Sequence, residues 1–178
     1  AHTAAYDAAI VSWFDDVAAD PLPPTIHLAL ERVQELRYGE NPHQQAALYR
    51  AGDPFQPPGV AAAEQLHGKE MSYNNYLDAD AAVRAAHDHG DQPTVAVVKH
   101  ANPCGAAVAG TLADAYRLAF DCDPRSAFGG IVALSTRCDA AVATRITGSF
   151  FEAVIAPGVS AEAKAIFDSL VGGAAGLS

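Results

Sequence analysis

Short runs of β-branched and apolar residues alternate with helical segments along the second half of the chain, and this alternation constrains the fold most strongly. Thr94 to Val98 has the composition of a strand buried on both faces, and shorter runs of the same kind occupy 131–134 and 153–155. Helices are predicted between and after these strands, at 111–121, 139–146 and 160–167. Strands that alternate with helices predict a layered α/β fold, with chemistry in the loops that follow the strands.

The first half of the chain begins with a predicted amphipathic helix. Residues 3–17 repeat apolar side chains at helical spacing, and a group of prolines ends the pattern. Ile26, Leu28 and Leu30 alternate with polar or small residues and predict a strand, and a second short strand is predicted at 46–49.

A loop and an Ala-rich helix follow these strands. Residues 52–59 are rich in Gly and Pro, which predicts a loop. The helix covers 78–89 and ends at Gly90, and Asn74 or Asn75 is the predicted N-cap because asparagine caps helices well.

The charge balance excludes some classes of partner. The chain has 11 basic and 21 acidic residues, a formal net charge of −10. This charge repels nucleic acid and anionic membrane surfaces, and no apolar run approaches the roughly 20 residues of a membrane span. We therefore expect neither nucleic acid nor a membrane as a partner, and an anionic substrate would need a local cluster of positive groups.

The cysteines and the chain ends indicate a reducing compartment and a longer parent chain. Cys104, Cys122 and Cys138 are odd in number and widely spaced, which favours free thiols in the cytoplasm over a disulfide framework. The chain starts without a methionine and ends in the small, Gly-rich segment 171–178, which shows no helix or strand pattern. Both ends are expected to be cut from a longer protein.

The segment that follows the 94–98 strand is the first candidate site. It places Lys99 and His100 side by side, ahead of the turn-forming residues 102–105. A histidine can move a proton at physiological pH, and a neighbouring lysine can stabilise a developing negative charge or donate a proton. The alternative is a surface lysine and a capping histidine at the end of a strand.

The residues of this segment do not match the zinc-binding patterns of a related chemistry. Nucleobase deaminases carry the patterns H-x-E and P-C-x-x-C around zinc. Here Asn102 stands where the glutamate would be, and Ala107 stands where the second cysteine would be. Cys122 and Cys138 lack metal-ligand spacing, so no zinc is expected.

Four further residues are weaker candidates. Arg37 is followed by the turn-rich segment 38–44, and a guanidinium suits phosphate, although a solvated turn with the arginine packed on Tyr38 is the alternative. Either asparagine ahead of the Ala-rich helix can cap it, which leaves the other for a ligand. Gly129 lies in a flexible turn and Glu152 precedes an apolar strand, and each has a purely structural alternative.

Five segments together resemble AICAR transformylase, the C-terminal part of the bifunctional AICAR transformylase/IMP cyclohydrolase family. In one order along the chain they read LRYGENPHQ (36–44), KEMSYNNYLDADAA (69–82), VKHANPCGAA (98–107), DPRSAFGGIVALS (123–135) and FFEAVIAPG (150–158). Each segment alone is a weak signal, but five in series make the resemblance specific.

The resemblance implies a reaction and an architecture. It implies formyl transfer from 10-formyltetrahydrofolate to the 5-amino group of AICAR, by a cytoplasmic homodimer with active sites at the subunit interface. The implied fold is a layered α/β/α, cytidine-deaminase-like subdomain without zinc. Residues 1–178 would be the N-terminal portion of the transformylase domain, its first deaminase-like subdomain. The second subdomain and the IMP cyclohydrolase domain would be absent from this chain.

The resemblance also implies roles for individual residues. His100 would take the proton from the AICAR amine, and Lys99 would stabilise the oxyanion or protonate the leaving folate nitrogen. The substrate-binding residues would be Arg37, Tyr38, Asn75, Gly129 and Glu152. Since the amine lone pair is delocalised, proton removal must accompany attack, and a positioned base contributes roughly 10²–10⁴-fold.

Two other functions compete with formyl transfer. A zinc-dependent deaminase predicts stoichiometric zinc in the protein. A non-catalytic nucleotide-binding or dimerisation module predicts that His100→Ala leaves transformylase activity of the full-length protein intact.

Overall fold

The computed structural model describes residues 2–18, 22–51 and 59–174, with side chains described up to residue 170. Except for Gly59, the predicted loop at 52–59 lies outside the described residues. The elements, in chain order, are α1 (His2–Ala18), β1 (Leu30–Leu36), β2 (Ala46–Ala51), a 3-10 turn (Val60–Ala62), α2 (Tyr73–His87), β3 (Thr94–Lys99), β4 (Asn102–Val108), α3 (Leu112–Cys122), α4 (Pro124–Ala127), β5 (Ile131–Leu134), α5 (Ala140–Ile146), β6 (Ala153–Ile155) and α6 (Ala161–Ala174).

The strands form two sheets. β1 and β2 make an antiparallel pair, and the main sheet has the order β4-β3-β5-β6. β3 is antiparallel to both of its neighbours, whereas β5 and β6 are parallel. The start of β5 and of β6 therefore lies at the same edge of the sheet as the end of β3.

The main sheet is covered on both faces. On one face Val95, Val97 and Val132 pack in a core with residues of α3, α5 and α6. On the other face Ala96 and Val98 pack against the small side chains of α2. Burial on both faces explains why β3 and β5 are continuous apolar runs. The predicted α/β fold is confirmed, with helices on either side of a mixed sheet.

Most predicted elements of the second half are confirmed, with one strand missed. Asn102–Val108 was predicted to start with a turn, but it forms β4, which pairs with β3 along its length. The packing of β4 on α3 needs Gly105, because a Cβ there would lie 2.0 Å from the Ala119 carbonyl oxygen of α3. The predicted helix at 160–167 is also longer than expected, since α6 continues to Ala174.

Two predictions in the first half are wrong. The strand expected from Ile26 begins only at Leu30, where β2 supplies a partner for its backbone. The N-cap of α2 is neither Asn74 nor Asn75 but Ser72, whose hydroxyl accepts a hydrogen bond from the Asn75 amide at 3.2 Å. Serine satisfies a free amide of the first turn as well as asparagine does.

The predicted helix at 3–17 is confirmed, but its apolar side chains are not buried. Trp13 and Phe14 contact each other edge to face and are each 59% exposed. No described residue of α1 belongs to either hydrophobic core. None of the described helices combines the length and hydrophobicity needed to cross a membrane.

Candidate active site

Three residues form a row at one edge of the main sheet. Val98, Ile131 and Ala153 are paired across β3, β5 and β6, so the next position outward on each strand is Lys99, Gly130 and Glu152. The Glu152 amide donates to the Gly130 carbonyl at 2.9 Å and continues the ladder beyond the strands. Lys99 and His100 lie where β3 ends, whereas Gly129 and Glu152 precede β5 and β6, as their positions in the sequence predict.

The turn between β3 and β4 consists of His100 and Ala101. The flanking residues Lys99 and Asn102 are paired, so this is a two-residue hairpin turn. His100 has φ 56° and Ala101 has φ 57°, the sign that a type I′ turn requires at both central positions. The amides of both residues donate to the Asp78 carboxylate, at 3.1 and 2.7 Å.

The Lys99 side chain is fixed by the loop ahead of β5. Its ammonium donates to the main-chain carbonyl of Phe128 at 2.8 Å. Gly129 follows with φ 73°, a conformation that glycine adopts without strain, and its amide donates to the Phe150 carbonyl at 2.8 Å. A Cβ at Gly129 would lie 3.7 Å from the lysine nitrogen, so this backbone passes directly beside the charge.

Arg37 and Tyr38 lie at the start of the turn after β1. The guanidinium carbon is 5.8 Å from the centre of the Tyr38 ring, which is the cation–π packing considered as the structural alternative. The turn is closed by a hydrogen bond of 2.9 Å from the Gly39 amide to the Gln44 carbonyl. Both residues also line the cleft described next, so packing on the tyrosine and access to a ligand coexist.

A single cleft of about 340 Å³ is lined by every residue predicted for the site. The predicted members are Arg37, Tyr38, Asn75, Lys99, His100, Gly129 and Glu152. Of the four other lining residues, Asn74 was the alternative to Asn75 as a ligand contact, and Ser72, Asp78 and Ile131 were not predicted. Ser72 donates a short hydrogen bond to the side-chain oxygen of Asn75, and both residues line the cleft. The spacing of these residues along the chain gave no signal for the contact that joins Asp78 to the hairpin turn.

A second cavity of about 410 Å³ is also lined by residues of the hairpin turn. Lys99 and His100 line both cavities, and Cys104, Asp123 and Ser126 line only the second. Ser126 hydrogen-bonds Asp123 through its hydroxyl and its amide, which holds the pKa of that carboxyl below its usual value. Burial, and secondarily the Asp123 charge, raise the pKa of the Cys104 thiol. The two cavities meet at the lysine and the histidine.

Side chains of the types that bind metal ions are dispersed in the described part of the chain. Within the described ranges no three His, Cys, Asp or Glu side chains are grouped so that they could hold an ion. The three cysteines are free thiols, and Cys138 is fully buried beneath α5.

The fold and the cleft together define a class of protein, an α/β domain with a polar, cation-bearing cleft at one sheet edge, of the size that holds a small molecule. The chain belongs to the AICARFT/IMPCHase bienzyme family, whose sequence profile matches residues 1–170.

Three relatives illustrate the similarity, each called bifunctional purine biosynthesis protein PurH. The Roseobacter denitrificans protein is 53% identical over 169 residues, which are 94% of this chain and 31% of that protein. The proteins of Ruegeria sp. strain TM1040 and Ruegeria pomeroyi are both 54% identical over 94% of this chain and 32% of their own length. The chain thus spans about a third of the length of these curated relatives.

Proposed function

We propose that this chain supplies the general base and the AICAR-binding wall of a formyltransferase that uses 10-formyltetrahydrofolate. One observation carries the proposal: the adjacent residues Lys99 and His100 line the same cleft as Arg37 and Glu152, which lie far from them in sequence. Membership of the bienzyme family supports the same reaction. The parent protein would also carry IMP cyclohydrolase activity, in a domain that this chain does not contain.

The cleft provides the positive charge that an anionic substrate needs in an acidic protein. The chain has a net charge of −10, yet Arg37 and Lys99 both face this cleft. The Arg37 guanidinium would take the phosphate of AICAR, with Tyr38 beside it. Held by its phosphate, the substrate would present its amine near the hairpin turn, and fixing the two reactants in this way lowers the entropic part of the barrier.

The remaining lining residues would hold the base of AICAR. The Asn75 amide can both donate to and accept from the carboxamide, and Glu152 can accept from polar hydrogens. Gly129 presents backbone without a side chain, so a flat heterocycle can approach it closely.

Proton transfer would be divided between His100 and Lys99. The AICAR amine nitrogen attacks the formyl carbon, and His100 takes the proton that the amine loses. Lys99 stabilises the negative charge on the formyl oxygen. When the bond from the formyl carbon to the folate nitrogen breaks, a proton from Lys99 neutralises that nitrogen. The products are formyl-AICAR and tetrahydrofolate.

The domain assignment is part of the proposal. The chain would be the first of two cytidine-deaminase-like subdomains and would use no zinc. The second subdomain would complete the folate site, and the functional form would be a cytoplasmic homodimer with active sites at the interface. These features follow from the family resemblance, and the length of the relatives leaves room for the second subdomain.

The test is formyl transfer by a protein of full family length that contains these 178 residues, assayed with AICAR and 10-formyltetrahydrofolate. Arg37→Lys keeps the charge but removes the two-pronged phosphate contact, so the KM for AICAR should rise at least tenfold while kcat changes little. Arg50→Lys, in the exposed ion pair with Glu31, is the matched control. The 178 residues alone should show no near-normal turnover. Absence of formyl transfer by the full-length protein, or stoichiometric zinc with deaminase activity, would overturn the proposal.

A further inference from the structure

The hairpin turn that carries His100 has an unfavourable backbone. His100 and Ala101 both have positive φ, and neither is a glycine or an asparagine, the residues that such turns prefer. Two consecutive residues with a Cβ in this region are strained, and such a conformation persists only where surrounding structure enforces it. The position of the imidazole depends on this backbone, because no hydrogen bond to the ring is seen among the residues that the structure describes.

Asp78 supplies the enforcing contact. One carboxylate oxygen accepts the His100 amide at 3.1 Å and the other accepts the Ala101 amide at 2.7 Å. Asp78 stands on α2, which is anchored to the sheet by the buried residues Ala79 and Ala82. The second contact on the turn comes from within the hairpin, where the Asn102 side chain donates to the His100 carbonyl at 2.8 Å. Asp78 is therefore the link between the turn and the rest of the domain.

We propose that Asp78 is the positioning residue for His100: its carboxylate holds the strained turn so that the imidazole faces the reacting amine. The inference rests on the proposed function, because it concerns the placement of the base in that reaction. Both oxygens are needed, since each accepts a different amide. Hydrogen bonds to an ionised acceptor are stronger than neutral ones, which suits a contact that must oppose strain.

Asp78→Asn is the sharpest substitution because it preserves shape. An amide offers one acceptor oxygen, and its NH₂ group faces a backbone N–H that also donates. One contact is lost and a donor faces a donor, so the turn relaxes and the imidazole moves. Misplacement by about 1 Å lowers kcat by roughly tenfold to a hundredfold. The KM for AICAR should stay within about twofold, since the contacts to the phosphate lie elsewhere in the cleft.

Ala101→Gly separates positioning from general stability. Glycine adopts positive φ without a steric cost, so the turn no longer depends on the carboxylate. When Ala101→Gly is added to Asp78→Asn, the logarithm of kcat should recover by at least a third of the decrease that Asp78→Asn causes. This is the effect expected from a partial relief of strain. A role of Asp78 that is only structural, or a direct contact of Asp78 with AICAR, gives no such rescue.

The experiment measures kcat and KM for AICAR in a protein of full family length, for wild type, Asp78→Asn, Ala101→Gly and the double variant. Asp80→Asn is the control, because Asp80 lies on the same helix in an exposed pair with Arg84, outside the cleft. The inference is supported by a fall in kcat at constant KM that Ala101→Gly reverses. It is overturned by wild-type kcat in Asp78→Asn, or by a loss that Ala101→Gly leaves unchanged.

Two further controls keep the result decisive. If Asp78→Asn does not fold, Asp78→Glu replaces it: both oxygens remain but are displaced by one methylene, so a native kcat there overturns the inference. If the wild type transfers no formyl group, the proposed function fails instead. A wild type that is active together with an unaffected Asp78→Asn variant overturns only the role of Asp78.

Discussion

The ammonium of Lys99 donates a hydrogen bond to the main-chain carbonyl of Phe128 at 2.8 Å, across the edge of the main sheet. The contact joins the end of β3 to the loop that enters β5 and holds the charge beside Gly129. An ammonium has three N–H donors, so two remain for a ligand. The lysine is thus oriented before any substrate arrives, which is what a group that stabilises transition-state charge requires.

Lys99→Met should therefore lower kcat for formyl transfer by roughly 10²–10³-fold, the loss seen when an oxyanion donor is removed. AICAR binding should change little, because in the proposed function Arg37 would still hold the phosphate. Lys164→Met, on the exposed face of α6 where Lys164 pairs with Asp168, is the matched control. The measurement is kcat together with calorimetric titration of AICAR. A variant that binds AICAR normally and retains wild-type kcat would remove Lys99 from the chemistry.

Gly105→Ala should disrupt the packing of β4 on α3. A Cβ at this position would lie 2.0 Å from the Ala119 carbonyl oxygen and 2.8 Å from the Cys122 Cβ, so backbone must move. Overpacking of this kind costs about 1–3 kcal/mol. Gly110→Ala, where nothing lies within 4 Å of the added carbon, is the control and should stay within about 0.5 kcal/mol of wild type.

The measurement for Gly105→Ala is native-state hydrogen exchange of the β4 amides, followed by mass spectrometry. Faster exchange in Gly105→Ala than in Gly110→Ala is expected, because the hairpin opens more easily. Equal protection in the two variants would contradict the close approach of β4 and α3.

The three thiols should differ in reactivity. Cys122 is exposed, whereas burial raises the pKa of Cys138 to about 11, with the Asp139 charge adding to the effect. Since the thiolate is the reactive form, iodoacetamide at pH 8 should label Cys122 first and should leave Cys138 unlabelled until the domain unfolds. Peptide mass spectrometry with and without urea checks the order. Labelling of Cys138 in the native protein as fast as Cys122 would show that its site is open.

Local sequence patterns predicted the strands and helix caps whose formation depends mainly on neighbouring residues. The composition of β3 and β5 reflects burial on both faces, and Asp139 and Thr111 cap their helices as their positions in the sequence suggest. The exposed helix α1 also followed its pattern, although its apolar face meets neither core in the described chain.

The missed features depend on contacts between distant residues. Asn102 to Gly105 reads as a turn, because Asn, Pro and Gly are turn residues, but pairing with β3 overrides that preference. Asp78 reads as an ordinary helix residue, and only the fold brings it to amides 22 and 23 positions further along the chain. The candidate site residues were singled out from local patterns and given roles by the family resemblance, while their meeting in one cleft required the antiparallel arrangement of β3 and β5.

The central claim is that His100 is the general base, and His100→Ala tests it most directly. Alanine keeps a Cβ, so the backbone preference of the turn is nearly unchanged and the imidazole alone is lost. Formyl transfer and AICAR binding are measured in parallel in the full-length protein, with His89→Ala, an exposed histidine beyond α2, as the control. The account predicts that transfer falls by roughly 10²–10⁴-fold while AICAR still binds and the control stays active. Transfer at the wild-type rate in His100→Ala would contradict the account and would move the chemistry to Lys99 or to residues outside this chain.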